Sequence, residues 1–197
     1  VADRQMSWDV SGYGSHAETS VTAPATTWYL AEGATHSGFS LFYLLQNPGD
    51  SVSEVQVAYL RPAPAVPLSR TYTIPPRSRR NIWVNLEDPA LADTDVSAVI
   101  TSTNGVPIIV ERAMYLDGRG QRFDAGHESA GVTAPGTEWY LAEGATGSYF
   151  DLFVLVANPH PTQATITATY LVPSGPPIVK TYTVAPRSRY SIWVDQE

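Results

Sequence analysis

Cysteine is absent from the 197-residue sequence, and with it go disulfide staples, thiolate zinc sites, iron–sulfur ligation and cysteine nucleophiles. Charge is scarce too: 16% of residues are charged, and the formal net charge is −7. A chain of that sign lacks the net basic face that nucleic-acid binding needs, so no nucleic-acid partner is expected. Lysine occurs once, at Lys180, and the other 11 basic residues are arginine, the side chain suited to planar, bidentate pairing. No apolar run approaches the ~18 residues of a membrane span, which argues against membrane insertion. Sustained apolar spacing at i, i+3, i+4 and i+7 is missing as well, so no amphipathic helix is expected. Ala90-Leu91-Ala92, after Pro89, has room for one helical turn. Residues 1–10 are acidic and polar where a signal peptide would carry its apolar stretch. With methionine only at Met6 and Met114, the chain reads as a processed product or an excised piece.

What is present is 43% hydrophobic and 11% aromatic, with β-branched residues in runs, which suits a packed core and not a disordered chain. An internal repeat organises it. Thr22-Ala23-Pro24-Ala25-Thr26-Thr27-Trp28-Tyr29-Leu30-Ala31-Glu32-Gly33-Ala34-Thr35 recurs 111 residues later as Thr133 to Thr146, with 12 of 14 positions identical. Phe39, Leu41, Phe42, Leu44, Asn47 and Pro48 recur as Phe150, Leu152, Phe153, Leu155, Asn158 and Pro159. Thr71-Tyr72-Thr73, Arg77-Ser78-Arg79 and Ile82-Trp83-Val84 return 110 residues on, as Thr181-Tyr182-Thr183, Arg187-Ser188-Arg189 and Ile192-Trp193-Val194. A third register sits at the front: Asp3-Arg4-Gln5-Met6 echoes Glu111-Arg112-Ala113-Met114, and His16 aligns with His127. The division expected is therefore 1–21, the last strand and linker of a preceding unit; 22–118, a complete unit; 119–132, a linker; and 133–197, a second unit without its last strands.

Within a unit, short runs of period 2 alternate with turn signals. Glu54-Val55-Gln56-Val57-Ala58-Tyr59-Leu60 places Val55, Val57 and Tyr59 on one face. Asn47-Pro48-Gly49-Asp50 is a strong turn signal, and Pro75-Pro76 ends a strand because neither residue donates to a ladder. About seven strands in a unit of about 110 residues predict an all-β fold, a tandem of Ig-like β-sandwich repeats. The Trp-Tyr-Leu-Ala-Glu-Gly-Ala-Thr motif, the Asn-Pro turn, the Pro-Arg-Ser-Arg turn and the Val-Glu-Arg-Ala-Met-Tyr strand resemble a tandem repeat of large secreted or surface-exposed bacterial proteins. The resemblance implies an extracellular or cell-surface bacterial protein and no catalytic residues.

Several residues invite chemistry. His127-Glu128-Ser129-Ala130-Gly131 is similar to an esterase nucleophile elbow, but His127 replaces the first glycine and no helix follows. Glu32 and Glu143 share one context, and a glycosidase needs two carboxylates on one cleft. A strand-end turn is the plainer account, with Gly33 or Gly144 supplying unusual backbone angles. Asp88, Asp93 and Asp95 lie in the densest acidic loop, where calcium is the one metal the oxygen ligands suit; no other cofactor is expected. Trp83, Trp193, Trp28 and Trp139 recur in pairs and are the candidates for stacking on sugar faces, against the default of tryptophan buried between sheets.

The function expected is a non-enzymatic structural or adhesive module of a bacterial stalk, fibre or surface protein, because near-identical units in series build length and not one active site. The alternative is a carbohydrate-binding module that takes surface glycans on exposed tryptophans. Partners expected are neighbouring repeats or copies of the same protein. The segment Asp3, Arg4, Gln5, Met6, Ser7 and Trp8 matches a strand that the second unit lacks, so it is a candidate for head-to-tail strand exchange.

Overall fold

The computed structural model describes residues 1–8, 14–118 and 120–197. It is all-β, with several small antiparallel sheets and three short 3-10 turns at Val84–Leu86, Pro89–Leu91 and Val194–Gln196. No helix among the described residues is long and apolar enough to cross a membrane. The strands are β1 (Asp3–Ser7), β2 (Ser15–Thr19), β3 (Thr27–Leu30), β4 (Phe39–Asn47), β5 (Ser53–Leu60), β6 (Leu68–Ile74) and β7 (Ser78–Trp83). They continue with β8 (Ser97–Ser102), β9 (Ile109–Gly118), β10 (Gln121–Ala130), β11 (Phe153–Asn158), β12 (Ala164–Tyr170), β13 (Ile178–Val184) and β14 (Ser188–Trp193).

Alternation in the sequence sets which face each strand buries. In β5 the side chains of Val55, Val57 and Tyr59 are buried while Glu54 and Gln56 face solvent, the outcome of period 2 with one covered face. Two four-stranded sheets, β3-β8-β5-β6 and β10-β9-β4-β7, contribute to one core of Trp28, Leu30, Leu41, Tyr43, Leu45, Val57, Ile74, Ile100, Val110 and their neighbours. The Asn47 turn is held by its own amide, which donates to the carbonyls of Ser51, Ile74 and Pro75, while Gly49 N–H donates to its Oδ1. Asn158 repeats the arrangement toward Thr162, Val184 and Ala185, and Arg77 and Arg187 share a positive φ, 49° and 46°. At these two turns the repeated sequence gives the same local geometry in both copies.

The first copy holds eight strands, one more than expected. The segment 119–132, expected as a linker, contains β10, which pairs with β9 in the register His127↔Met114 and Glu128↔Ala113. Its polar, glycine-bearing sequence does not announce a strand; a strong partner in β9 orders it. At the front, β1 and β2 form a hairpin in the equivalent register, Met6↔His16 and Arg4↔Glu18. Asp3–Ser7 thus corresponds to β9, the penultimate strand, and Trp8 follows the strand without belonging to it.

The second copy is different. It contains two two-stranded sheets, β11-β14 and β12-β13, and residues 133–152 carry no strand. In the first copy β3 lies on β8, Trp28↔Ile100, and β4 lies between β7 and β9. Among the described residues no strand lies beside the segment equivalent to β3 as β8 lies beside β3, and an isolated strand cannot satisfy its backbone groups. Trp139 is 61% exposed where Trp28 is 1%. The Trp139 indole keeps the local bond to the Gly136 carbonyl, at 3.1 Å, as Trp28 does to Ala25 at 3.2 Å. The long-range bond from Trp28 to Ile108 O, at 2.9 Å, has no equivalent.

Candidate functional site

The repeated motifs meet where the second copy touches the first. Gly33 sits between β3 and β4, packed so tightly that an added Cβ would stand 2.8 Å from Leu41 Cδ2 and closer still to the Val96 carbonyl oxygen. The glycine is required by close approach and not by the unusual backbone angles expected, since its φ is not positive. Its carbonyl accepts from Val96 N–H at 2.9 Å and from Arg189 Nη1 of the second copy at 3.1 Å. Arg189 also pairs with Asp95 Oδ1 at 2.9 Å, with its side chain only 1% exposed, and its backbone N–H donates to Arg61 O at 3.3 Å. Ser191 Oγ donates to Asp95 Oδ2 at 3.2 Å, and His36 Nε2 stands 3.2 Å from Asp95 Oδ1. Burial pulls the Arg189 pKa below its ordinary value, and Asp95 opposes that pull. Arg79 occupies the equivalent place in the first copy and is exposed.

On the same side, Glu32 pairs with buried Arg112, and Arg112 Nη2 lies 2.8 Å from His127 Nδ1. Burial holds the His127 pKa down, and the Arg112 charge adds to the effect. Glu32 therefore anchors a buried arginine. The Tyr43 hydroxyl is buried without a partner, and burial raises its pKa. Ser129, the elbow candidate, donates to its neighbour Ala130 O; Glu143 belongs to the strandless segment and is exposed.

A second cluster lies where the β1–β2 hairpin covers the outer face of β9 and β10. Arg4 pairs with Glu111 Oε2 at 2.9 Å and Glu128 Oε1 at 2.5 Å, and His16 Nδ1 approaches Glu128 Oε2 at 3.0 Å. Neither His16 Nδ1 nor Glu128 Oε1 makes a well-directed hydrogen bond. Burial, against the pull of Arg4, pushes the Glu128 carboxyl up to about 7, and burial lowers the His16 pKa. Trp8 enters a slot at Gly126, where a Cβ would stand 2.7 Å from its ring. Its indole donates to Phe123 O at 2.6 Å, and its ring packs edge-on to Tyr115 at 5.2 Å.

The tryptophans separate by environment. Trp28 is core, which removes it from the glycan candidates. Trp83 stacks on Phe42 at 5.2 Å with Arg122 over its outer face at 5.1 Å, so its ring is covered. Trp193 repeats the stack on Phe153 at 5.6 Å, but there Phe153 is 48% and Trp193 41% exposed. The acidic loop is not gathered as a calcium site. Asp88 pairs with Arg70 at 2.5 Å and caps Ala90 N at 2.9 Å, Asp95 holds Arg189, and Asp93 faces solvent. Among the described residues no three His, Asp or Glu side chains converge as metal ligands.

No protein-family model and no curated protein matches the chain. Solved structures do match, among them the two that follow. The crystal structure of Thermotoga maritima 1070 aligns with a TM-score of 0.50 at 15% identity, covering 58% of this chain and 98% of that one. The Anabaena sensory rhodopsin transducer aligns with a TM-score of 0.40 at 30% identity, covering 47% of this chain and 99% of that one. The likeness to the Thermotoga protein is one of fold alone. The match to the Thermotoga protein corrects the resemblance drawn from the eight-residue motif: the fold it shows is that of the Thermotoga protein and not a tandem repeat of large secreted bacterial proteins.

The partners at the joint were out of reach of sequence reasoning, although the basic turns of Arg77, Arg79 and Arg80 and of Arg187 and Arg189, on a chain of net charge −7, already suggest an ion-pair patch between units. Arg-Ser-Arg and Glu-Gly recur with their copies, and a repeated polar motif without metal or catalytic spacing is what a unit-to-unit contact leaves in a sequence.

Proposed function

We propose that the chain is a non-enzymatic structural module in which copies of one β unit, each an Ig-like sandwich when complete, dock in series. The Glu-Gly step of one copy is the socket and the Arg-Ser-Arg turn of the next is the plug. The observation that supports this reading is Arg189, its side chain 1% exposed, held by Gly33 O and Asp95 of the other copy. A buried guanidinium with both a charged and a carbonyl partner fixes direction as well as contact, and series docking gives length. An adhesive or fibre-like use follows from that geometry, with neighbouring units as partners.

Small-angle scattering of the full chain against Arg189→Glu tests the docking. One compact particle that loosens in the variant is expected; identical profiles overturn the socket and plug. Turnover in a hydrolase panel that disappears in Glu32→Gln would overturn the non-enzymatic reading.

The carbohydrate-binding alternative draws on the exposed Phe153–Trp193 stack. Equivalent rings in the first copy, on the sheet face opposite the core, lie under Arg122, Phe123 and Tyr115, so the stack is better read as a packing surface of the unit than as a sugar platform.

A further inference from the structure

Where the β1–β2 hairpin lies on β9 and β10, one cation is claimed by two acids. Arg4 Nη1 stands 2.9 Å from Glu111 Oε2, and Arg4 Nη2 stands 2.5 Å from Glu128 Oε1. A single guanidinium neutralises a single carboxylate. Glu128 is the acid more deeply enclosed, its side chain 2% exposed against 17% for Glu111. Its second oxygen lies 3.0 Å from Nδ1 of His16, whose side chain is 4% exposed. A carboxylate ionised in such a place without a matching charge is strongly disfavoured.

Among the described residues, the other groups around the pair supply no spare positive charge. Tyr115 Oη stands 3.3 Å from His16 Nε2, and burial raises its pKa. His127, next to Glu128 on β10, is engaged with Arg112, which Glu32 neutralises. Glu18 on β2 acts on His127, Asp124 on β10 is packed at Gly118, and Asp3 on β1 is exposed. All three are acids. What remains to balance Glu128 is a proton.

We infer that this cluster is a one-proton clasp: the β1–β2 hairpin grips β9 and β10 while Glu128 and His16 hold a single proton between them, and lets go when that proton leaves or a second one joins it. With the proton on Glu128 Oε2, the carboxyl donates to His16 Nδ1, and the imidazole Nε2–H donates to Tyr115 Oη. Arg4, Glu111, Glu128 and His16 are then neutral as a group. The pKa shifts run the same way, since burial pushes Glu128 up to about 7 and pulls His16 down. The two titrate as a pair.

Opening the hairpin returns both groups to water, with ordinary values of 4.5 and 6.5. Between those values the freed pair also carries one proton, so docking is insensitive to pH. Above 6.5 the freed pair has lost its proton while the docked pair keeps it, so docking weakens as pH rises. Below 4.5 the freed pair takes a second proton that the docked pair resists, so docking weakens as pH falls. The Arg189 joint has no part in this contact, so the clasp and the series docking stand or fall separately.

Trp8 reports the docked state, because its indole donates to Phe123 O at 2.6 Å. Its N–H resonance, assigned with Trp8→Phe, is followed in the full chain from about pH 4 to about pH 9. A plateau is expected, then a docked-to-open ratio about threefold lower or more on the alkaline side, the factor for the gap between 6.5 and about 7. Glu111→Gln removes the surplus acid without touching the titrating pair, and its alkaline limb should vanish. His16→Asn should remove the acid limb. In the native chain the carboxyl carbon of Glu128, assigned with Glu128→Gln, should report a protonated group at about pH 6. A docked fraction indifferent to pH, an alkaline limb that survives Glu111→Gln, or an ionised Glu128 in the docked chain at about pH 6 would overturn the inference. The native profile and the carboxyl resonance decide it even where a variant does not fold.

Discussion

Replacing Arg189 by alanine removes a buried side chain of the second copy that Gly33 O and Asp95 of the first copy hold. The guanidinium donates to Gly33 O, a charge-assisted bond of the class that contributes about 1.5–3 kcal/mol. It also pairs with Asp95, whose side chain is 30% exposed; that carboxylate regains water after truncation, so the loss stays below the ~3–5 kcal/mol of a wholly buried pair. Gly33 O keeps its bond from Val96 N–H and is not orphaned. The docking equilibrium should therefore shift by about 2–3 kcal/mol, or about 30- to 140-fold. Amide hydrogen exchange read by mass spectrometry is the assay, in peptides covering Arg61, Gly33 to His36 and Thr94 to Val96. Faster exchange there is expected in Arg189→Ala, with the strands of the first core unchanged. Arg79→Ala is the control, since it is the same residue in the same repeat position, exposed, bonded only to Asn81; its cost should stay within about 0.5 kcal/mol. Equal effects of the two variants, or none at the joint from Arg189→Ala, would refute the reasoning.

The tryptophan pair tests burial directly. Trp28→Ala should cost about 3–5 kcal/mol in denaturant unfolding, while Trp139→Ala, with its ring in solvent, should stay within about 0.5 kcal/mol. Gly33→Ala should lose about 1–3 kcal/mol by overpacking against backbone, whereas Gly144→Ala meets only the movable Leu152 side chain at 3.0 Å and should lose less. Glu128 gives a pH signature. Its folded pKa near 7 lies above the ordinary carboxyl value, so its contribution to hairpin docking is complete at low pH and fades as pH rises through about 4.5 to 7. His16, with its pKa lowered by burial, acts in the other direction: its contribution is present above its ordinary value of 6.5 and fades as pH falls. The Trp8 indole resonance should report a docked hairpin that loosens toward pH 8 in the native chain and stays docked there in Glu128→Gln. An unchanged profile in that variant would remove Glu128 from the argument.

Legibility in the sequence followed the range of the interactions. Alternation in β5, the Asn-Pro turns and the proline stops are local, and a window of a few residues holds all the information they need. The residues 121–130 became a strand because β9 offers a long partner, and nothing within them encodes that partner. Glu32 and Gly33 were visible as a repeated pair, but the reason for each lies far along the chain, at Arg112 for Glu32 and at the Val96 carbonyl for Gly33. The acidic loop looked like one ligand set in sequence, and its carboxylates part company once Arg70 and Arg189 claim them.

By itself the sequence determined that the chain is all-β, that it carries one unit twice with a fragment of a third, and that no thiol chemistry occurs. Those properties rest on composition, periodicity and self-similarity, which need no neighbours in space. Tertiary structure alone decided which copy of an identical motif is buried. Trp28 and Trp139 share a sequence context and differ because β8 lies beside one and, among the described residues, no strand lies beside the other. Arg79 and Arg189 differ in the same way, since a socket is formed only by the residues that surround it.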